Sequence, residues 1–151
     1  MLISHLSKLY DAPSVNPSNQ EIADFRRWID EQFWQLPVPV DFFYEEITLD
    51  QAVIVYQNSG ILPISVLNND HPFLTFRENA RFRAVHDWHH LLIGADASMR
   101  GEIATFKQSR RTAPKPIHWI LFSEIVLQAA ACLHHDGVFQ PQKFVKVEAF
   151  R

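Results

Sequence analysis

The sequence predicts an all-α fold, a single helical domain of about five helices that spans residues 1–151. Three observations support this prediction. Ser or Thr is followed three positions later by Glu or Gln at two points, a pattern that begins helices. Apolar residues recur at helical spacing beyond these starts, and proline or glycine marks the ends. With 151 residues, 47% of them hydrophobic, and no repeat or linker, the chain can bury one core.

The first predicted helix begins at Ser18 or Asn19, either of which can act as N-cap, and runs to about Leu36. Pro37 and Pro39 end it and force an extended connection. Four apolar residues recur at helical spacing and predict the face that packs on the core, namely Ile22, Phe25, Ile29 and Phe33.

The second helix is predicted from Leu49 to about Asn58. Thr48 and Gln51 form a capping-box pattern at its start, and Gly60 stands where a left-handed C-cap belongs. The apolar run from Ala52 to Tyr56 could also be a buried strand, but the capping residues favour the helix.

Residues 61–74 are rich in proline, asparagine and aspartate, which predicts a loop. A third helix, Phe76–Ile93, follows this loop. Thr75 is its expected N-cap, with Glu78 three positions on, and Gly94 is its expected C-cap.

Ser98 or a neighbouring residue can cap a fourth helix that carries Glu102 in its first turns. The fifth helix is predicted from Pro116 to about Asp136, because proline suits the first turn and Gly137 can close the last one. The tail, residues 138–151, alternates weakly between apolar and polar residues and is expected to be extended.

The third helix contains the spacing H-D-x-x-H, formed by His86, Asp87 and His90, and Glu102 follows after eleven intervening residues. On a helix with about 3.6 residues per turn, His90 lies about 40° and Asp87 about 100° around the axis from His86. These three side chains face one sector, whereas His89 points elsewhere. An antiparallel fourth helix would bring Glu102 near the histidines. The sequence therefore predicts a metal site between the third and fourth helices.

The donor types suit a divalent metal ion. Imidazole nitrogens and carboxylate oxygens accept zinc, iron, manganese or cobalt, and zinc is the first expectation. Structural zinc sites are usually four-coordinate and rich in thiolates, whereas catalytic sites keep one position open. The donor set therefore favours chemistry over a structural metal. The alternative is that the histidines and Asp87 form only a solvated polar face of the helix.

This segment resembles the signature of the coenzyme Q biosynthesis protein 4 family, R-Y/F-R-x-V-H-D-x-x-H, followed by a glycine and then by G-E. The chain carries Arg81-Phe82-Arg83, Val85-His86-Asp87, His90, Gly94 and Gly101-Glu102 at the corresponding places. The resemblance covers residues 81–102.

The resemblance implies a mostly helical protein with a metal held by His86, Asp87, His90 and Glu102 beside an apolar cavity. It also implies the family's activity, which is decarboxylation and hydroxylation at a ring carbon of a polyprenylated quinone precursor. The expected partner is therefore a prenylated aromatic molecule or another apolar lipid, with peripheral membrane contact.

Two other functions remain open. The pair His86-Asp87 also resembles the centre of an HD-type phosphohydrolase, which needs a remote His and a remote Asp, and His71 and Asp136 are the candidates. A non-enzymatic lipid-binding module, in which the metal only fixes two helices, is the second alternative.

Polar residues on the fifth helix, Glu124 and Gln128, together with His135, lie near one face. A polar stripe of this kind is expected to face solvent. The alternative is that these side chains orient a metal ligand from behind.

The composition limits the remaining possibilities. A net charge of -3 gives no electrostatic basis for nucleic-acid binding. The basic cluster Lys107, Arg110, Arg111 and Lys115 is expected to be a solvated helix end. Cys132 is the only cysteine, which excludes an intrachain disulfide. With no apolar leader and no run of about 18 consecutive apolar residues, we expect a cytoplasmic protein, and a homodimer is the default assembly.

Overall fold

The computed structural model describes the whole chain from Met1 to Arg151. Helices form most of it, which confirms the predicted all-α class, and the only sheet has two short strands. In chain order the elements are α1 (Leu2–Tyr10), α2 (Asn19–Trp34), β1 (Val40–Phe43), α3 (Leu49–Ser59), β2 (Leu62–Ser65), α4 (Phe76–Ile93), α5 (Met99–Arg110) and α6 (Lys115–His134). A short 3-10 turn, Glu148–Phe150, follows in the tail.

Reciprocal capping boxes begin three of the helices. In each, the Ser or Thr hydroxyl accepts from a backbone amide of the first turn, and the Glu or Gln side chain accepts from the capping residue's own amide. The pairs are Ser18 with Glu21, Thr48 with Gln51, and Thr75 with Glu78. The helical prediction for α3 is therefore confirmed over the strand alternative.

Two features were absent from the prediction, α1 and the sheet. Met1 precedes α1 and provides no side-chain cap, so the usual start signal is missing. β2 lies within the segment predicted as a loop, and it pairs in parallel with β1, with Val40 opposite Leu62. Leu62 and Ile64 of β2 are buried between α3 and α4, whereas most of β1 is exposed.

The last helix, α6, was predicted from Pro116 to about Asp136 and ends at His134. It starts with a 3-10 turn, Lys115–Ile117, and contains a π-helical turn at Ser123–Leu127 that the sequence did not suggest. By length and composition α6 could cross a membrane, but most of it is buried inside the fold, as in the central helix of a soluble protein.

The tail after α6, which was expected to be extended, forms no strand and ends in the 3-10 turn. It packs on the core as an irregular segment, with Phe144 completely buried. The Val15 amide donates to the Phe144 carbonyl at 2.8 Å, and the Tyr10 hydroxyl donates to the Pro141 carbonyl at 2.9 Å. The tail is thus held to the N-terminal part of the chain.

Candidate metal centre

The turn between α4 and α5 determines where Glu102 lies. Gly94 ends α4 in the left-handed conformation, with φ of +65°, and the Ala95 amide donates to the His90 carbonyl at 3.0 Å. The Asp96 carboxylate then accepts from the amide and the hydroxyl of Ser98. The Ser98 hydroxyl in turn accepts from the Gly101 amide at 3.1 Å and caps α5, as predicted.

Gly101 is the point of closest approach in this turn. A Cβ atom at this position would lie 1.8 Å from the Asp96 carbonyl oxygen, so no larger residue fits without moving the backbone. This contact lets α5 begin immediately beside the end of α4. Glu102, in the first turn of α5, consequently faces the histidines of α4.

Three side chains meet between α4 and α5, which are the third and fourth helices of the sequence prediction. The Nε2 atom of His90 lies 3.1 Å from Oε1 of Glu102 and 3.2 Å from Nε2 of His86. The Nε2 atom of His86 lies 3.1 Å from Oε2 of Glu102. These three residues form a group that could hold a metal ion.

The proton positions make this group unusual. His90 Nδ1 lies 3.1 Å from the Ala95 carbonyl oxygen. A carbonyl only accepts, so Nδ1 carries the proton and, in the neutral ring, Nε2 presents a lone pair to Glu102. Oε2 of Glu102 is buried and accepts no hydrogen bond. Acceptor atoms of His90 and Glu102 therefore converge beside His86 Nε2, and a proton on His86 or His90, or a bound cation, must satisfy them.

The spacing of the donor atoms fits a metal ion. Ligands held about 2.0–2.1 Å from a tetrahedral zinc ion lie roughly 3.3 Å from one another. The separations here are 3.1 and 3.2 Å. The His90 side chain is almost fully buried and that of Glu102 is 11% exposed, whereas the His86 side chain is 20% exposed and opens the group towards solvent.

The charges of the three groups are strongly coupled. Burial opposes the ionisation of Glu102, but the adjacent His86 and His90 imidazoles outweigh it and lower its pKa to about 2. Burial also opposes the protonation of His90, yet Glu102 and the Ala95 carbonyl raise its pKa above the ordinary value. Glu102 is consequently an anion at any pH near neutrality, as a metal ligand must be.

Asp87 lies next to the group but is not one of the three converging side chains. Burial raises the pKa of its carboxyl, whereas the charges of His86 and His90 act in the opposite direction. Its carboxylate forms no ion pair with any residue of the chain, and its charge acts on Arg83 as well. The structure thus places Asp87 beside the site without bringing its oxygens into the cluster.

The other histidine of the motif, His89, points away from the group, as predicted. Its Nδ1 atom lies 2.7 Å from the Ser109 hydroxyl, and the ring lies against Trp28 in the core. Burial, together with the smaller effect of the nearby His86 and His90, lowers the pKa of His89 to about 4.

A second buried histidine and carboxylate pair, His71 with Glu124, was missed by the sequence analysis. Nε2 of His71 lies 3.1 Å from Oε1 of Glu124, and the two side chains are 0% and 5% exposed. His71 Nδ1 accepts from the amides of Phe73 and Leu74 at 3.0 and 3.1 Å. Glu124 lies in the π-helical turn of α6, a local irregularity often found at functional sites.

The predicted solvent-facing stripe of α6 is therefore wrong for two of its members. Glu124 is paired with His71, and Gln128 is buried. His135 is exposed and lies just beyond the end of the helix, so it has no part in the group. No pattern in the sequence distinguished Glu124, because its partner lies 53 positions away.

No protein-family model, curated protein or solved structure matches this chain in comparisons with known proteins.

Proposed function

We propose that the protein is a metal-dependent enzyme that acts on a polyprenylated aromatic head group. The metal is a divalent ion, zinc in the first instance, held by His86, His90 and Glu102, with Asp87 as the fourth group that the resemblance implies. The reaction is decarboxylation and hydroxylation at a ring carbon: the carboxyl group leaves as carbon dioxide, water supplies the hydroxyl oxygen, and dioxygen is the co-substrate that takes up the two electrons. The observation that supports the metal is the convergence of buried lone pairs at 3.1–3.2 Å.

A chemical role for the metal is favoured by the donor set. The three side chains include no thiolate, and a closed structural site of the usual zinc type needs four ligands, most of them cysteines. The partial exposure of His86 leaves one side of the group open to a small molecule. A metal bound here would serve as a Lewis acid that draws electron density from a ring oxygen or carboxylate as carbon dioxide leaves.

The protein residues around the metal have separate roles in this proposal. The Ala95 carbonyl fixes the tautomer and the orientation of His90, as an outer partner of a ligand histidine usually does. Glu102 supplies a permanent negative charge. Phe82 lies against the His86 ring, with centroids 6.3 Å apart, and limits its rotation.

The hydrolase alternative lacks its further ligands. His71 is fully hydrogen-bonded through both ring nitrogens, and its partner is Glu124 rather than a metal group. Asp136 is exposed in the turn after α6. An HD-type site needs both residues at the metal, so the arrangement gives this alternative no support.

A cytoplasmic location is part of the same proposal. The single cysteine is typical of a reducing compartment, and the one helix apolar enough for a membrane is mostly buried. A prenylated substrate would then be taken from the membrane surface by peripheral contact.

The first experiment measures metal content by mass spectrometry after purification near neutral pH. We expect close to one divalent ion per chain in the wild type and almost none in His86→Ala. The matched control is His5→Ala, because His5 is an exposed histidine outside the group and should leave the content unchanged. Absence of metal from the wild type, after each common divalent ion has been supplied, would remove the basis of the proposal.

A second experiment separates catalysis from a structural metal in a lipid-binding module. Wild type and His90→Ala are incubated with a prenylated aromatic acid, and loss of the acid is followed together with the melting temperature. If the protein is an enzyme, turnover should disappear in His90→Ala while the protein stays folded. If metal removal lowers the melting temperature sharply, no turnover occurs in the wild type and the refolded metal-free protein still binds lipid, the lipid-binding module is correct instead.

A further inference from the structure

An open groove of about 620 Å³ lies between the end of α2, β1 and the start of α4. Its walls include four aromatic side chains, Trp34, Phe42, Tyr44 and Phe76, which we call the aromatic face. Tyr44 stacks on Phe76 with ring centroids 6.2 Å apart, and Phe42 stacks on Phe33 at 6.4 Å. The rings are therefore held in place, and the face is preformed.

The aromatic face is separate from the candidate metal centre. Arg77 and Arg81 line the groove. Arg77 lies nine positions before His86, and Arg81 lies nine positions before His90. Nine residues rotate a helix by about 180° and advance it by roughly 13 Å. The groove and the metal centre thus lie on opposite sides of α4.

The exposed aromatic area is of the size that a dimer interface needs. Trp34 and Tyr44 are 73% and 76% exposed, and Phe42 and Phe76 are 39% and 47% exposed. Taking roughly 200 Å² for each fully exposed ring, the face presents on the order of 450 Å² of apolar surface. A standard interface buries about 800 Å² per partner, somewhat more than half of it apolar.

The sheet beside the groove also lacks a cover. Parallel strands normally have both faces covered by other elements. Here α3 and α4 pack on β2, whereas Asp41, Phe42 and Phe43 of β1 are exposed. A partner that covered Phe42 would bury the side of β1 that faces the groove.

The charges around the aromatic face indicate which partner fits. Arg77 follows Phe76, is exposed and has no ion pair within the chain, whereas Arg81 is already paired with Asp30 at 2.9 Å. Glu45 and Glu46 follow Tyr44 and are likewise exposed without an ion pair. Free charges of both signs flank the same Tyr44 and Phe76 stack. This pattern complements itself, whereas an anionic membrane or nucleic acid would be repelled by the two glutamates.

We propose that the aromatic face is the interface of a homodimer with two-fold symmetry, in which Arg77 of each chain faces Glu45 and Glu46 of the other. In such an interface the same patch serves both chains, so every contact is made twice. The rings form the apolar centre and the charges form the rim. This assembly does not depend on the metal or on the proposed reaction.

Sedimentation velocity from about 1 µM to about 100 µM tests the proposal with charge variants. We expect the wild type to dimerise with a dissociation constant near the micromolar range. Arg77→Glu and the double variant Glu45→Arg, Glu46→Arg should each weaken dimerisation by about tenfold or more, because like charges then meet twice. An equimolar mixture of these two proteins should restore the dimer, since every rim contact is again between opposite charges.

Two further variants complete the test. Arg111→Glu changes the same charge at an exposed position at the end of α5 and should leave the dimer unchanged. Trp34→Ser with Tyr44→Ser should give a folded monomer, checked by circular dichroism, because both side chains are largely exposed in the single chain. A monomeric wild type at every concentration, with or without a small apolar molecule in the groove, would overturn the proposal. So would a mixture of the two charge variants that fails to associate.

Discussion

The molecule contains two pairs of buried histidine and glutamate side chains, one close to each end of α4. The two pairs differ in how their hydrogen bonds are satisfied. Near the start of α4, His71 and Glu124 form a closed arrangement in which both ring nitrogens have a partner. Near its end, His90 approaches Glu102 at the same 3.1 Å, but its other nitrogen already donates to the Ala95 carbonyl. His86 then adds a further nitrogen to that site.

The difference lies in the balance of protons and lone pairs rather than in the residue types. His71 has one N–H for Glu124 and one lone pair for two backbone amides, so a neutral ring satisfies every contact. His90 would need two N–H groups for its two acceptors, which only the charged ring provides. A group in which the acceptor atoms outnumber the available protons can bind a cation, whereas a group in which every acceptor already has a proton cannot. The same pair of residues therefore has a structural role in one place and a candidate ligand role in the other.

The largest expected effect comes from Glu102→Gln. The substitution keeps the shape of the side chain but removes the negative charge and offers only one oxygen. Structural zinc sites bind with about 10–16 kcal/mol over four ligands, so loss of one ligand costs roughly 2.5–4 kcal/mol, on the order of a hundredfold or more in the dissociation constant. Competition with a zinc indicator measures this change. Affinity within a factor of a few of the wild type would show that Glu102 is not a ligand.

The next largest effect is expected from Gly101→Ala, which tests how Glu102 reaches the histidines. The added Cβ would lie 1.8 Å from the Asp96 carbonyl oxygen, so the turn between α4 and α5 has to move. We expect a loss of about 3 kcal/mol in the free energy of unfolding, measured with urea, together with weaker metal binding.

The matched control for this variant is Gly60→Ala. Gly60 ends α3 with φ of +74°, and an added Cβ there meets nothing within 4 Å. The loss in the free energy of unfolding should be limited to the strain of a left-handed alanine, about 1 kcal/mol, and the metal affinity should not change. Equal losses of stability in the two variants would contradict the close-contact explanation.

The adjacent residues His89 and His90 give a prediction about pH. The pKa of His89 is lowered to about 4 in the folded state from an ordinary value of 6.5. Its contribution to stability is therefore complete above about pH 6.5 and is lost as the pH falls towards 4, by up to about 3 kcal/mol in metal-free protein. His90 has a raised pKa, so its contribution is present below pH 6.5 and is lost as the pH rises through the raised value.

Urea unfolding of metal-free wild type and His89→Gln between about pH 4 and pH 7 isolates the first of these contributions. The amide of glutamine can still bond the Ser109 hydroxyl but does not titrate in this range. The free energy of unfolding of the variant should therefore fall less at acid pH than that of the wild type. Parallel curves for the two proteins would show that His89 titrates normally.

The smallest effect is expected from Glu124→Gln, the counterpart of Glu102→Gln in the closed pair. The amide oxygen can still accept from His71, so only the charge assistance of this hydrogen bond is lost. We expect a loss of about 1 kcal/mol in the free energy of unfolding and no change in metal affinity. A large loss of metal from this variant would mean that the two pairs are not independent.

The parts of the fold that were predicted correctly are those with local chemical signals. The starts of α2, α3 and α4 carry their capping residues within four positions. The structure confirms the two predicted boxes of α3 and α4 and the predicted cap of α2, where Ser18 also forms a box with Glu21. The sheet depends on contacts between β1 and β2 that lie 22 positions apart, such as Val40 with Leu62, and no local pattern specifies such a partner. The π-helical turn has no capping or glycine signal either, so α6 looked regular.

The candidate site follows the same rule. His86 and His90 are four residues apart on one helix, so their proximity could be predicted from helical geometry alone. The approach of Glu102 required an antiparallel turn, which Gly94 and Ser98 indicated. Asp87 was predicted as a ligand from the H-D-x-x-H spacing and from the resemblance, and that remains a prediction, because its carboxylate lies outside the group of three. The pairing of His71 with Glu124 depends on tertiary packing and left no trace in the sequence.

The buried position of Phe144 has a consequence for how the protein is made. This ring packs against Phe25, Phe73 and Trp119, which belong to earlier parts of the chain. During synthesis, helices α1 to α6 can all form before the tail leaves the ribosome, but their shared core stays incomplete until Phe144 arrives. Stable folding should therefore wait until residue 144 has been made, and nascent chains that stop before it should expose apolar surface and recruit chaperones.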